Sequence, residues 1–186
     1  MDPFYTRKGD QGDTSILGAG RVPKHDLRME TLGSLDETVS ALGIARSLAE
    51  QPATREIILD LQRDLYHLMA EVAATPEHAA AFSAINIKSV GKLEEVITRL
   101  SEQVVVPEDF IVPGDSLPAA AMDLARTVAR RAERRMAELF SRGIVNNEAL
   151  TSYMNRLSSL LFILELYILQ RNANIQPTLM KANQKL

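Results

Sequence analysis

The sequence contains no cysteine. Disulfide bonds, thiolate metal sites and thiol nucleophiles are therefore excluded. Its three histidines, His25, His67 and His78, lack the spacing of a metal-binding motif, so each is interpreted as a packing or surface residue. The sequence has no apolar run near its start, and its most apolar stretch, 157–169, is interrupted by Glu165 and is shorter than the ~20 residues that span a bilayer. We therefore expect a cytoplasmic protein with neither a signal peptide nor a membrane span.

The sequence also lacks an excess of basic residues. The net charge is −3, which argues against nucleic acid as a partner. Hydrophobic residues make up 46% of the chain and charged residues 24%, which is typical of a globular protein. A chain of 186 residues is long enough to bury its own core, so residues 1–186 are predicted to form one domain.

Five segments carry apolar residues at the three- and four-residue spacing of amphipathic helices. They cover about 25–48, 54–74, 89–102, 117–141 and 148–171. Ser116 is predicted to cap the fourth helix and Gly143 to end it. The pattern predicts an all-α protein, a five-helix up-and-down bundle of the ferritin-like kind over residues 25–172. A Gly-rich loop over residues 1–24 precedes it, and a frayed tail over residues 173–186 follows.

The fifth predicted helix is apolar around most of its circumference. Its main apolar seam is supplemented by Phe162, Ile163, Leu166 and Leu169. A helix of this kind lies at the centre of a protein or at a subunit interface. A homo-oligomer is therefore expected from the pattern alone.

The fourth predicted helix carries the arginine-rich run "ARTVARRAERRM". The residues predicted to face the core are Leu124, Val128, Ala132, Met136 and Leu139. The residues predicted to share the opposite face are Arg126, Arg130, Glu133 and Arg134. This face is interpreted either as a solvated charged surface or as an anion site, because arginine binds phosphate oxygens in a bidentate manner.

Asp36, in "GSLDETVSALG" of the first helix, lies beside the apolar stripe that contains Leu35 and Val39. A carboxylate that is partly buried there requires a cation, and Arg126 could supply it. Alternatively, Asp36 points to water.

The N-terminal stretch "YTRKGDQGDTSILGAGRVPK" matches neither a Walker A loop nor a dinucleotide-binding glycine motif. It nevertheless combines glycines for tight turns with hydroxyl and basic side chains, which a phosphate-binding loop requires. By composition it is either a disordered terminus or such a loop.

Taken together and in order, five segments of the sequence resemble the PduO-type ATP:cob(I)alamin adenosyltransferases. They are this N-terminal stretch, the pattern of Arg28, Glu30, Gly33, Asp36 and Glu37, and then "FIVPG", "ARTVARRAERR" and "YMNRLSSLLF". The resemblance spans about Tyr5 to Leu169. It implies a cobalamin adenosyltransferase-like bundle that forms a homotrimer, with active sites between subunits. It also implies that Co(I) attacks the 5′ carbon of ATP and that triphosphate leaves, with Mg²⁺ held through the triphosphate.

The resemblance assigns roles to individual positions. Catalytic roles go to Asp36, Arg126 and Arg130. The nucleotide-binding positions of the N-terminal segment are Thr6, Arg7, Lys8, Gly9, Thr14, Ser15 and Lys24. The second nucleotide-binding group is Arg130, Arg131, Ala132, Glu133, Arg134 and Asn155. The corrinoid side comprises Phe110, Val112 and an ion pair between Asp36 and Arg126.

The chain departs from the family pattern at Val39, Asp115 and Ser159. These departures put corrinoid affinity in question and motivate a second hypothesis, a non-catalytic sensor or delivery protein that binds ATP or adenosylcobalamin. A third hypothesis is a purely structural bundle. A reductase or an adenosylcobalamin-dependent enzyme is a candidate partner under the first hypothesis.

Overall fold

The computed structural model describes Tyr5 and residues 7–181, apart from the side chain of residue 172. This part of the chain is mostly helical, with one small two-stranded sheet. The helices are α1 (Leu27–Leu48), α2 (Pro52–Ala73), α3 (Pro76–Ala79), α4 (Ile87–Ser101), α5 (Leu117–Ser141) and α6 (Glu148–Tyr167). A 3₁₀ turn (Ala80–Phe82) follows α3, and a π-helical turn (Ile168–Asn172) extends α6. The strands are β1 (Asp13–Ser15) and β2 (Arg21–Pro23).

The five predicted helices correspond to α1, α2, α4, α5 and α6, and the bounds of α5 agree with the prediction. Ser116 caps α5, since its hydroxyl accepts a hydrogen bond from the backbone N–H of Ala119 at 3.4 Å. Gly143 has a φ of +67°, the left-handed conformation that ends many helices. The short helix α3 was not predicted, because a single turn is too short to show helical periodicity.

The core lies where α5 packs against α1 and α6, with α2 against the outer side of α1 and α4 against α6. The apolar circumference of α6 is explained by this central place. Leu157, Leu161 and Leu166 are each 0% exposed. No helix in the described part of the chain is long and apolar enough to cross a membrane.

The face of α5 that enters the core differs from the prediction by about one residue. Leu124 is 50% exposed, and Val128 is only half-buried. Ala125 and Ala129 are fully buried in their place, on the same face as Ala132. Small alanine side chains let α1 and α6 approach α5 closely, whereas the sequence pattern gave more weight to the larger Leu and Val.

The N-terminal segment was predicted to be a loop, but it contains an antiparallel hairpin in which Thr14 pairs with Val22. Leu17 then joins the hairpin to the end of α2. Its N–H donates to Ala73 O at 2.8 Å, and its carbonyl accepts from Thr75 N at 2.8 Å. Strands of three residues are too short to show an alternating pattern.

The predicted fraying of the C-terminal tail is wrong for residues 173–181, whereas residues 182–186 lie outside the described part. The tail forms a ribbon with the loop between α4 and α5. Val112 N donates to Thr178 O, and Met180 N donates to Phe110 O, both at 2.7 Å. The carboxylate of Asp115 accepts from the N–H of Thr178 at 2.8 Å and from its hydroxyl at 2.7 Å. Such pairing joins distant parts of the sequence, so no pattern within the tail itself could predict it.

Candidate active site

The N-terminal hairpin exposes a group of basic side chains. Arg7 has a φ of +57°, and its guanidinium carbon lies 5.4 Å from the centre of the Tyr5 ring. The ammonium group of Lys24 lies over the turn at Gly9, where a Cβ atom would be 3.2 Å from Lys24 Nζ. Lys8 is exposed on the same turn. The structure therefore brings together most of the predicted N-terminal nucleotide positions, while Thr6 lies outside the described residues.

Arg21 holds this hairpin in shape, although it is not among the site residues predicted from the sequence. Its guanidinium donates to Lys8 O at 2.6 Å, to Asp13 O at 3.2 Å and to the Ser15 hydroxyl at 3.4 Å. Thr14, in β1, is half-buried, whereas Ser15 is exposed. The only signal in the sequence was a basic residue that follows two glycines.

A second anchor lies at the start of α1. The buried guanidinium of Arg28 donates to Val72 O at 2.6 Å and to Ala74 O at 2.5 Å. Burial lowers the pKa of Arg28, and the nearby Asp26 opposes this effect. Arg28 therefore satisfies the last carbonyl groups of α2 at the point where Leu17 also binds.

The arginines of α5 form an exposed cationic surface. Arg131 makes an ion pair with Glu37 of α1. Among the described residues, neither Arg130 nor Arg134 has a carboxylate within ion-pair distance. Unpaired arginines at consecutive turns of one helix repel each other, and an anion would relieve that repulsion.

Glu133 and Asn155, both predicted nucleotide positions, are brought together between α5 and α6. Asn155 Nδ2 donates to Glu133 Oε1 at 2.8 Å. Arg156 donates to Asn155 Oδ1 and to Glu94 Oε1, each at 2.8 Å. Arg156 and Glu94 were not identified from the sequence. This network holds the carboxylate of Glu133 at the side of α5 that faces Asn155.

Ala132 does not lie with these side chains. It is 0% exposed and packs in the core, because it is on the face of α5 opposite to the arginines. Its side chain therefore lies away from the exposed arginines, and its assignment to the nucleotide site remains a prediction.

The ion pair expected between Arg126 and Asp36 is not the one that Arg126 makes. Arg126 Nε and one terminal nitrogen donate to Asp123 Oδ1 at 2.8 and 2.6 Å, and Asp36 is exposed. Asp123 lies one turn earlier on the same helix, so it is within reach without any change in the packing of α1. Glu165 of α6 lies close to this pair. Its burial, together with Asp123, raises the pKa of Glu165 to about 7.

The other predicted corrinoid residues lie on the tail–loop ribbon. Phe110 is 85% exposed and Val112 is half-buried. Asp115, one of the departures from the family pattern, holds Thr178 of the tail in place. Val39 is half-buried and Ser159 is exposed.

The described residues contain no group of three or more His, Asp or Glu side chains placed to hold a metal ion. Basic and hydroxyl groups dominate both halves of the candidate site. This set of side chains suits an anionic ligand better than a bare cation.

The family model described as cobalamin adenosyltransferase matches residues 4–168. This chain belongs to the cobalamin adenosyltransferase family. The family match covers both halves of the candidate site, from the N-terminal hairpin to the network around Asn155. The resemblance inferred from the motifs is thus confirmed.

Named relatives in the family include two proteins from Citrobacter freundii. The corrinoid adenosyltransferase PduO is 38% identical over 162 residues, which are 87% of this chain but 48% of that protein. This chain therefore spans about half of the longer relative's length. A second corrinoid adenosyltransferase is 34% identical, with 87% of this chain and 92% of that protein covered.

Solved structures of the family give the same fold. A variant PduO-type ATP:corrinoid adenosyltransferase from Lactobacillus reuteri, complexed with cobalamin and ATP, superposes with a TM-score of 0.88 at 28% identity. The match covers 96% of this chain and 99% of that one.

Proposed function

We propose that this chain transfers the 5′-deoxyadenosyl group of ATP to a cob(I)alamin-type corrinoid, giving the adenosylated corrinoid and triphosphate. The observation that carries the proposal is that this family member combines a basic hairpin with an arginine surface. On that surface Arg130 and Arg134 have no carboxylate partner among the described residues. The relatives named corrinoid adenosyltransferases support it, as does the related structure that contains both cobalamin and ATP.

ATP would bind between the hairpin of one copy and the arginine surface of a neighbouring copy in a homotrimer. Within one chain, the hairpin docks on the end of α2, whereas the arginine surface contacts α1 and α6. Two complementary half-sites on different surfaces favour a site that two copies complete. The hairpin would supply Arg7, Lys8, Gly9, Thr14, Ser15 and Lys24, and the partner's α5–α6 surface would supply the rest.

The outer face of α1 and α5 supports such an interface. Ile44 is 51% exposed and Leu124 is 50% exposed. Each lies seven residues from one member of the Glu37–Arg131 ion pair, so all four side chains share one face. Exposed apolar residues beside an ion pair are typical of a surface that a second subunit covers.

The chemistry requires positioning and charge stabilisation but no side-chain nucleophile. A bond forms between cobalt and the 5′ carbon while the bond from that carbon to the triphosphate oxygen breaks. Arg130 and Arg134 would stabilise the negative charge that grows on the leaving triphosphate. We propose that Mg²⁺ binds through the phosphate oxygens, since the described residues offer no carboxylate cluster for it.

The corrinoid would lie against Phe110 and Val112, with Arg126 and Asp36 at its edge. In the same chain Glu37, the neighbour of Asp36, pairs with Arg131, which lies five residues, or roughly 7.5 Å, along α5 from Arg126. An ion pair between Arg126 and Asp36 is therefore proposed to form between neighbouring copies. We also propose that the five long helices form the family's up-and-down bundle and that the protein acts in the cytoplasm, beside a reductase or an enzyme that uses the product.

The test is turnover by purified protein with ATP, Mg²⁺ and chemically reduced cobalamin, followed by the absorbance of adenosylcobalamin and by triphosphate release. Arg130→Ala should lower kcat/KM for ATP by about tenfold or more, because one charge-assisted contact to phosphate is lost. Arg135→Ala is the matched control, since Arg135 is exposed on the same helix and makes an ion pair with Glu138 at 3.4 Å. Equal activity of both variants would contradict the proposed site, and ATP binding without product would indicate a non-catalytic binder.

A further inference from the structure

A carboxylic acid is buried behind the ion pair of Arg126. Glu165, near the end of α6, is 1% exposed, and its Oε2 atom has no hydrogen-bond partner among the described residues. The side chain lies close to Asp123 and Arg126 of α5 and to Asp115 of the preceding loop. In the sequence, Glu165 stands out only because it interrupts an apolar stretch.

Arg126 does not neutralise this acid by hydrogen bonding. Within the described part of the chain, both of its hydrogen bonds go to a single oxygen, Oδ1 of Asp123. An ionised Glu165 would therefore be a second buried negative charge beside a pair that is already neutral, and such a charge is costly. The groups that face Glu165 act in both directions. Burial, Asp123 and Asp115 raise its pKa and Arg126 lowers it, with a result of about 7.

We propose that Glu165 is a positioning residue for Arg126 in the corrinoid half of the site. When Glu165 is neutral, Asp123 alone holds Arg126, whose side chain remains 27% exposed and can reach a ligand or a neighbouring copy. When Glu165 is ionised, two buried carboxylates attract the guanidinium inward and away from that surface. The proposal rests on the proposed function, because it assigns Arg126 to the corrinoid side.

The consequence is a selective dependence on pH. KM for the corrinoid should rise about three- to tenfold between pH 6 and pH 8.5, with its midpoint near 7, as Glu165 loses its proton. KM for ATP should change much less over the same range, because Arg130 and Arg134, its proposed contacts on α5, lie one and two turns further along the helix from Arg126.

The experiment compares the wild type with Glu165→Gln, an amide of the same shape that cannot ionise. The variant should keep the low corrinoid KM of the wild type at pH 6 and show no rise towards pH 8.5. Glu56→Gln is the control, since Glu56 is exposed on α2, and it should retain the wild-type profile. The same pH dependence in the wild type and in Glu165→Gln, or a parallel change in KM for ATP, would overturn the proposal.

A second measurement does not depend on turnover. Infrared difference spectra of the ligand-free wild type should show a protonated carboxylic acid at pH 6 that disappears towards pH 8.5, and Glu165→Gln should lack that band. The absence of the band in the wild type would overturn the proposal even if the variant failed to fold. Failure of the proposed function is distinguishable, because no adenosylated product would then form at any pH with either protein.

Discussion

Replacing Glu165 by Gln should stabilise the protein at alkaline pH and leave it nearly unchanged at acidic pH. The pKa of Glu165 rises from its ordinary 4.5 to about 7 in the folded chain, so the folded state binds this proton more tightly than the unfolded state. The wild type therefore loses stability as the pH rises from about 4.5 through about 7, and the loss is complete above that range. Gln does not titrate, so the variant avoids this loss.

The difference between the two pKa values sets the size of the effect. At about 1.4 kcal/mol per pKa unit, the ionised acid costs the wild type about 3 kcal/mol of unfolding free energy at pH 8. At pH 5 Glu165 is neutral in the folded chain, and its ionisation in the unfolded chain costs less than about 1 kcal/mol of stability. The unfolding free energies of the two proteins should therefore agree within about 1 kcal/mol.

Urea unfolding, followed by far-ultraviolet circular dichroism at pH 5, 6, 7 and 8, measures this difference directly. Each curve should be recorded at two protein concentrations, because association of subunits adds to the apparent stability. A difference between variant and wild type that stays constant across the four pH values would refute the reasoning, since it would mean that Glu165 does not change its ionisation in that range.

Two other substitutions test the contact between the hairpin and the end of α2 and a buried hydrogen bond between α2 and α6. Gly18→Ala should raise KM for ATP severalfold with little change in helix stability. The φ of Gly18 is +104°, and a Cβ there would lie 2.8 Å from Thr75 Oγ1, so the hairpin could no longer pack against the end of α2 in the same way. Steady-state kinetics would measure this, and an unchanged KM would contradict it. Tyr153→Phe should cost about 1 kcal/mol in urea unfolding, because the buried hydroxyl donates to Asp64 at 2.8 Å. Tyr66→Phe, at a position 68% exposed, is the control, and an equal effect of both would contradict the assignment.

The long helices were predictable because their signal is local. Apolar spacing, the cap at Ser116 and the stop at Gly143 lie within a few turns of the elements that they define. The pattern could not decide which of two adjacent stripes on α5 faces the core, the one that contains Leu and Val or the one that contains Ala. The tighter packing of Ala125 and Ala129 decided that choice.

The contacts that shape the candidate site join distant residues, so periodicity could not reveal them. The resemblance assigned Asn155 and Glu133 separately to the nucleotide site. Only the folded chain shows that they are hydrogen-bonded to each other and that Arg156 and Glu94 complete the network. The partner of Arg126 was expected from α1 and instead comes from its own helix. A carboxylate one turn away on the same helix is favoured as the partner of Arg126 over one on another helix, because less side-chain entropy is lost in making the contact.

The ribbon that joins the tail to the loop between α4 and α5 closes a long segment of the chain, containing the whole of α5 and α6. Phe110 and Met180 are hydrogen-bonded neighbours in space although both helices separate them in sequence. The order of the loop therefore depends on the order of the tail, and local opening of either releases both. The exposed aromatic ring of Phe110 thus gains or loses its fixed orientation together with the tail residues that pair with its backbone.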